Sequence, residues 1–467
     1  MGIKVMVYRV SALEVPDDEP FRHDALARRP LVEFLVGLIG RAGGPFVLAL
    51  DSPWGSGKTT LVHMLEAELK RQGFSCIYFN AWQVDYATDP LVALVSSVDR
   101  LELSEEGPSA SFKVHLTTAR RVTTLIAKRA AVAAAKALTV GAIDLEKESE
   151  SFAAELAGGA VTDLVEAFQK EAVLLEKFRT ELAKAVEQLP AAGKRPTLVF
   201  FVDEIDRCRP TFAIELLERI KHLFDVANVL FVLSLDKKQL EASVAAVYGQ
   251  NINAAEYLRR FVDLEYAIPV AKAKDFVESL FERFKLETIF ANRTHPDLRN
   301  DRSNFVDLFS ALADAIPLSL RAQERCMTRL RVVLDQTPPN QHLEPILVAA
   351  LIVLRASKPE LFERTMAGSA TAQDIMTYIG ALPGGQQVLK DPMSIILEAS
   401  LIAADNDQNR KASVIQALKA SAEDKNEQGS ARSGELLEML EFIRVRTRRS
   451  PTLLDITCKI DLASGLR

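Results

Sequence analysis

One short stretch near the N-terminus limits the possible folds of this chain more than any other. Residues 46–50 are all apolar, a turn sequence with Gly55 and Gly57 follows, and Lys58 and Thr59 open an amphipathic segment. A buried strand, a glycine turn, a Lys-Thr pair and a helix in this order are typical of a phosphate-binding loop. The alternative is a chance Gly-Lys-Thr in a loop before a helix, and the flanking strand and helix argue against it.

The residue types of this loop match the chemistry of a nucleoside triphosphate. Backbone N–H groups at the positive end of a helix bind phosphate oxygens. We expect Lys58 to bridge the β- and γ-phosphates and the Thr59 hydroxyl to hold Mg²⁺. Ser52 stands where the strict pattern has glycine, at a position that serves the turn rather than the ligand. The predicted nucleotide-binding residues of the loop are Trp54, Gly55, Ser56, Gly57, Lys58, Thr59 and Thr60.

An acidic cluster follows a second apolar run, at residues 197–202. Asp203, Glu204 and Asp206 come directly after it, and neighbouring acids repel each other unless a cation lies near. In a phosphate-loop fold we expect Asp203 to reach Mg²⁺ through water and Glu204 to act as general base for the attacking water. Such a pair favours hydrolysis over phosphoryl transfer to a metabolite. The alternative is that these acids only cap a helix.

Polar residues near two further strands complete the predicted site. Ser234 and Asp236 follow an apolar run where a side chain can sense the γ-phosphate, although capping of the next helix explains them equally well. Arg259 and Arg260 are candidate catalytic arginines for the site of a neighbouring subunit, with pairing to a helix dipole as the equal alternative. Arg321 is a candidate phosphate contact, and an ordinary surface arginine is the stronger interpretation.

Composition argues against several classes of protein. The 467 residues are 48% hydrophobic and 26% charged with a formal net charge of −6, which argues against a surface that coats nucleic acid. The four cysteines are far apart and lack metal-like spacing, so we expect reduced structural thiols in a cytoplasmic protein. The apolar runs at 130–143 and 346–354 are shorter than the about 20 residues that span a bilayer, so no integral membrane segment is predicted.

Apolar strands that alternate with helices organise the chain. They predict an α/β fold with a doubly wound, mostly parallel sheet that binds its ligand at the carboxyl ends of the strands. Residues 1–100 and 191–270 are the two parts of this domain, and residues 101–190 form a helical insertion that serves packing or a partner. Residues 271–467 are predicted to be helical, with helix ends and a mobile loop at 405–434.

Several short sequence motifs, in the order in which the family has them, together resemble the KAP family of P-loop NTPases across about residues 21–329. They are Trp54-Gly55-Ser56-Gly57-Lys58-Thr59, Phe79-Asn80-Ala81-Trp82, Asp203-Glu204-Ile205-Asp206-Arg207-Cys208, Leu233-Ser234-Leu235-Asp236-Lys237-Lys238-Gln239-Leu240 and Tyr257-Leu258-Arg259-Arg260-Phe261. The resemblance implies ATP and Mg²⁺ as ligands, with Lys58, Thr59, Asp203 and Glu204 in the roles given above. It also implies a role in defence against phage, because relatives of this kind include phage-exclusion proteins.

Two features depart from the family pattern. Many members carry transmembrane helices between the phosphate loop and the acidic strand, where this chain has its charged insertion, so membrane tethering is not expected. The family more often has Asp at position 204, and Glu204 should preserve the role of a base. Asp206 and Arg207 match an Asp-Arg pair of the family, to which we assign only an ordering of the site.

The leading functional hypothesis is an ATPase switch or oligomerising regulator. Its nucleotide state would alter the helical C-terminal half and a protein partner or effector, with a homo-oligomer as one form of assembly. The first alternative is an NTP-binding scaffold with negligible turnover that docks a partner. The second is a DNA-stimulated ATPase, because residues 444–449 hold four arginines, but nucleic acid is not favoured for an acidic chain.

Overall fold

The chain forms two compact units, an N-terminal unit, Leu13–Pro269, and a C-terminal unit that begins at Val270. Most of the predicted insertion lies outside the described residues, and the predicted domain boundaries stay predictions. The computed structural model describes residues 13–87, 89–97, 114–115, 117–118, 173, 176–423, 428–446 and 451–461.

The N-terminal unit is built on a five-stranded parallel sheet. Its strands are β1 (Phe46–Asp51), β2 (Ser75–Asn80), β3 (Leu198–Asp203), β4 (Val229–Leu235) and β5 (Leu264–Ala267). They lie in the order β2-β3-β4-β1-β5, so β4 separates β1 from β3. β3 and β4 are buried along their whole length, as continuous apolar runs in a parallel sheet require. The predicted α/β fold with a doubly wound sheet is confirmed.

Helices cover both faces of this sheet. They are α1 (Arg29–Ile39), α2 (Lys58–Arg71), α3 (Pro90–Ser96), α4 (Pro210–Leu223), α5 (Lys237–Tyr248) and α6 (Ala254–Leu258), and residues 176–187 are also helical. Neighbouring residues of a strand point to opposite faces. Phe200 therefore packs with α4 and α5 in one core, and Phe201 packs with α1 and α2 in the other. The phosphate-loop helix α2 belongs to the second layer.

The described part of the C-terminal unit is helical. Its helices are α7 (Ala273–Arg283), α8 (Leu286–Ala291), α9 (Asp301–Ala315), α10 (Leu320–Asp335), α11 (Pro345–Ser357), α12 (Pro359–Met366), α13 (Ala372–Gly380), α14 (Gly385–Lys390), α15 (Met393–Ala403), α16 (Gln408–Glu423), α17 (Gln428–Arg446) and α18 (Leu453–Asp461). Residues 346–354 of α11 are all buried, so this apolar run is a core helix. Among the described helices, none has the length and apolar character needed to cross a membrane.

The prediction of helix ends and a mobile loop at 405–434 was wrong. Most of this stretch belongs to α16 and α17. Leu436 and Leu440, four residues apart on α17, pack with Ala399 and Ile402 of α15 in a small core of their own. Within 405–434, Val414, Ile415 and Leu418 of α16 pack against this core and are only partly buried, and so short an apolar stripe among polar residues was not recognised in the sequence.

Candidate nucleotide site

The phosphate-loop sequence forms a turn between β1 and α2. Gly55 has φ +79° and Gly57 has φ +86°, a left-handed conformation that glycine adopts without steric cost. Gly57 stands directly before Lys58, the first residue of α2. Thr59 and Thr60 follow in the first turn of the helix, where they are half-buried. Glycine thus occupies the two positions of the turn where the backbone is left-handed.

Lys58 lies among carboxylates at the carboxyl edge of the sheet. Its Nζ donates a hydrogen bond to the Ser52 carbonyl oxygen. Burial lowers the pKa of Lys58, and the negative charges near it act against that shift. These charges belong, in decreasing order of effect, to Asp206, Asp236, Asp203 and Asp51. The structure thus brings Lys58 together with Asp203, although the two residues are far apart in the sequence.

Asp203 is the last residue of β3 and is almost fully buried. Its Oδ2 accepts a hydrogen bond of 3.0 Å from the Tyr78 hydroxyl, and its Oδ1 accepts one of 2.9 Å from the Glu204 backbone N–H. Burial raises the pKa of Tyr78, and the Asp203 charge raises it further. The Tyr78 hydroxyl therefore stays protonated and orients the carboxylate that we expect to serve the metal ion.

Glu204 is held on both carboxylate oxygens. Asn80 Nδ2 donates to Oε2 at 2.9 Å, and the Arg207 guanidinium pairs with Oε1 at 2.5 Å. The same guanidinium lies over the ring of Trp82, 5.6 Å from its centroid. The backbone of Glu204 has φ +61°, a left-handed conformation that is uncommon for a side chain of this size. Geometry of this kind clusters at functional sites.

Ser234 and Asp236 lie at the end of β4, between β1 and β3. Ser234 pairs in register with Asp203, is fully buried, and its Oγ has no hydrogen-bond partner among the described residues. Asp236 stands at the N-cap position of α5, but its side chain does not cap the helix. Instead Asp236 Oδ2 accepts a hydrogen bond of 3.2 Å from the Trp54 backbone N–H. The backbone N–H of Lys237, the first residue of α5, donates to Asp51 Oδ1. The side chain of Asp236 thus contacts the phosphate loop.

The three candidate arginines are all exposed. Arg259 is exposed and pairs with Glu256 at 2.8 Å, and the exposed Arg260 places its guanidinium 5.8 Å from the ring centroid of Tyr257. Arg321 is an exposed residue in the first turn of α10, in the C-terminal unit. The roles assigned to these arginines stay predictions.

Sequence reasoning assigned no role to three residues of this site: Asp51, Tyr78 and Asn80. Two of them had a readable signal, because Asp51 and Asn80 end strands. Tyr78 had none, since an aromatic residue inside an apolar strand is typical of a core position. Its hydroxyl contact appears only once β2 and β3 are placed side by side.

The donor set fits a magnesium nucleotide. A hydroxyl on Thr59 and a carboxylate on Asp203 are the oxygen ligands that Mg²⁺ takes from proteins, usually as one or two carboxylates beside substrate phosphates. Within the described ranges, no group of three His, Cys, Asp or Glu side chains is arranged to hold a metal by itself. The unpartnered Ser234 Oγ is a further polar atom ready for a ligand. An ion shared with phosphates suits this arrangement better than a resident metal.

The fold and the loop together define a P-loop NTPase, a class of nucleotide-binding proteins. The sequence pattern of the KAP family P-loop domain matches residues 28–336 of this chain, which therefore belongs to that family. No curated protein matches the sequence.

Solved structures with similarity to the chain include the Aeropyrum pernix ORC2 protein in its ADPNP–ADP complexes. It is 12% identical with a TM-score of 0.29, and the match covers 89% of this chain and 94% of that one. Another is Drosophila ORC bound to poly(dA/dT) DNA and Cdc6, at 13% identity and a TM-score of 0.29, covering 94% of this chain and 73% of that one.

Proposed function

We propose that this protein binds ATP with Mg²⁺ and hydrolyses it, and that its nucleotide state acts as a switch on a protein partner or on self-assembly. The observation that supports it most is that Asp203 lies near enough to Lys58 for its charge to act on the ammonium, with Glu204 directly after Asp203. Binding alone would need only the loop. A carboxylate next to the metal aspartate is the additional part that hydrolysis needs.

In this proposal, phosphate binding, metal binding and proton transfer fall to different residues. Backbone N–H groups of the loop and the Lys58 ammonium would bind the phosphates and fix their orientation. Mg²⁺, held by Thr59 and through water by Asp203, would neutralise charge on the phosphate oxygens. Glu204 would accept a proton from the attacking water. Asn80 and Arg207 each hold one of its oxygens, and each oxygen keeps a second lone pair that can accept from that water.

The decisive test is phosphate release by purified Glu204→Gln protein. This change keeps the shape and the Asn80 contact but removes the base, so we expect ATP binding near that of the wild type and turnover lowered by about 10² or more. Glu33→Gln, on the exposed face of α1, is the matched control and should turn over normally. Lys58→Ala protein, which should not bind ATP, is the blank that gives the background rate of phosphate release. Wild-type phosphate release by the Glu204→Gln protein would refute the assignment.

The scaffold alternative has one observation in its favour, which is that Asn80 and Arg207 each hold one oxygen of Glu204. If these contacts keep the carboxylate away from the attacking water when nucleotide is bound, the chain would bind ATP and not hydrolyse it. Calorimetric binding of ATP without phosphate release above the Lys58→Ala blank would decide for the scaffold.

A role in phage defence, implied by the family, is also part of this proposal. Plaque counts on cells that carry the wild-type or the Lys58→Ala protein test it, and equal counts would remove it.

A further inference from the structure

Asp206 is a buried acid, shortly after the end of β3, that bonds to two other segments of the chain. Only 5% of its surface is exposed. Its Oδ2 accepts two hydrogen bonds, from the Trp54 indole Nε1–H at 2.5 Å and from the Asp236 backbone N–H at 3.0 Å. Its Oδ1 is buried without a partner among the described residues. One carboxylate therefore joins the phosphate loop to the start of α5.

A third hydrogen bond closes this arrangement. The Trp54 backbone N–H donates to Asp236 Oδ2 at 3.2 Å, so Trp54, Asp206 and Asp236 form a ring of three mutual contacts. The ring ties together the segments after β1, β3 and β4. Trp54 directly precedes Gly55, the first left-handed residue of the loop, so its position sets where the phosphate-binding N–H groups begin.

We propose that Asp206 is a positioning residue for nucleotide binding: through the Trp54 indole and the Asp236 amide it fixes the phosphate loop against the end of β4. The proposal rests on the proposed function for its ligand, ATP. It adds a residue that acts through its contacts with Trp54 and with the Asp236 backbone.

A positioning role and a simple charge effect have opposite signs here. Asp206 exerts the largest carboxylate effect on Lys58, so its negative charge opposes the approach of a polyanion. If charge alone mattered, Asp206→Asn would bind ATP more tightly than the wild type. If Asp206 positions the loop, the same variant binds ATP more weakly, because the charge-assisted hydrogen bond to the indole becomes a weaker, neutral one.

A double-mutant cycle with calorimetric ATP affinity at constant Mg²⁺ separates the possibilities. We expect Asp206→Asn and Trp54→Phe each to raise Kd about tenfold. The double variant should also raise Kd about tenfold in total, not hundredfold, because the two residues act as one unit. Asp85→Asn, which breaks an exposed ion pair with Arg209, is the matched control and should bind as the wild type does. Tighter or unchanged binding by Asp206→Asn overturns the proposal, and so does a hundredfold effect in the double variant.

Tryptophan emission gives a readout that needs no nucleotide. The chain has two tryptophans, so in a Trp82→Phe background emission reports Trp54 alone. Adding Asp206→Asn should shift that emission without ATP, and an unchanged spectrum overturns the contact. If the wild type binds no ATP, the proposed function fails, and the emission shift alone decides whether Asp206 holds Trp54.

Discussion

Tyr78 and Asn80 show how single side chains of β2 orient the acids that follow β3. The two strands pair in register, with Asn80 opposite Asp203. Tyr78 binds Asp203 and Asn80 binds Glu204, so each acid of the pair has its own partner. Outer partners of this kind fix the orientation of a metal-binding carboxylate. Removing the Tyr78 or Asn80 contact should therefore change the Mg²⁺ dependence of ATP hydrolysis more than the stability of the fold.

Tyr78→Phe tests this at the residue scale. The variant leaves Asp203 with one hydrogen bond fewer, and we expect the Mg²⁺ concentration for half-maximal ATP hydrolysis to rise about tenfold. The free energy of unfolding should fall by about 1–2 kcal/mol, because the contact is only partly buried. Tyr248→Phe removes an exposed hydroxyl contact with Tyr257 and serves as the control. An unaltered Mg²⁺ dependence in the Tyr78→Phe protein would show that the hydroxyl does not support the metal site.

At the scale of elements, the turn between β1 and α2 depends on backbone conformation more than on side chains. Gly57 lies at φ +86° directly before Lys58. A residue with a Cβ pays a steric penalty of about 1–2 kcal/mol in this region. The turn would relieve it by rotating away, and the N–H groups that we assign to phosphate would no longer converge.

We expect Gly57→Ala to lose ATP binding by more than about tenfold while the melting temperature falls only slightly, because the penalty is local. Calorimetric titration and thermal melting measure the two effects. Gly43→Ala, in the loop before β1 where a new Cβ meets nothing within 4 Å, is the matched control. If Gly57→Ala binds ATP as the wild type does, the turn does not supply the phosphate contacts.

At the scale of the whole molecule, ligand binding should appear as stability. A ligand that binds only the folded state adds about 2.7 kcal/mol at a hundred times its Kd. We therefore expect saturating ATP with Mg²⁺ to raise the melting temperature of the wild type by several degrees in calorimetry, and to leave Lys58→Ala unchanged. Lys274→Ala, on the surface of the C-terminal unit, should respond as the wild type does. A wild type that melts alike with and without nucleotide would contradict ATP binding.

Short-range patterns were sufficient for much of this architecture. The apolar runs predicted β1, β3 and β4, and the two glycines with Lys58 predicted the turn, because a strand buried on both faces and a left-handed turn each restrict residue type locally. The same patterns failed at 405–434, where α16 has no fully buried residue and contributes only partly buried side chains to the core between α15 and α17. The roles of Ser234, Arg259, Arg260 and Arg321 stay predictions.

The partners of the acidic residues depend on contacts between distant parts of the chain, and no local pattern encodes such contacts. Pairing of β2 with β3 brings Asn80 to Glu204, and the position of β4 between β1 and β3 brings Asp236 to Trp54. These hydrogen bonds are directional and short, so they exist only where the packed strands place donor and acceptor at the right distance and angle. Periodic burial can be read from residue type, whereas the pairing of individual polar atoms follows from how the packed strands and helices place them.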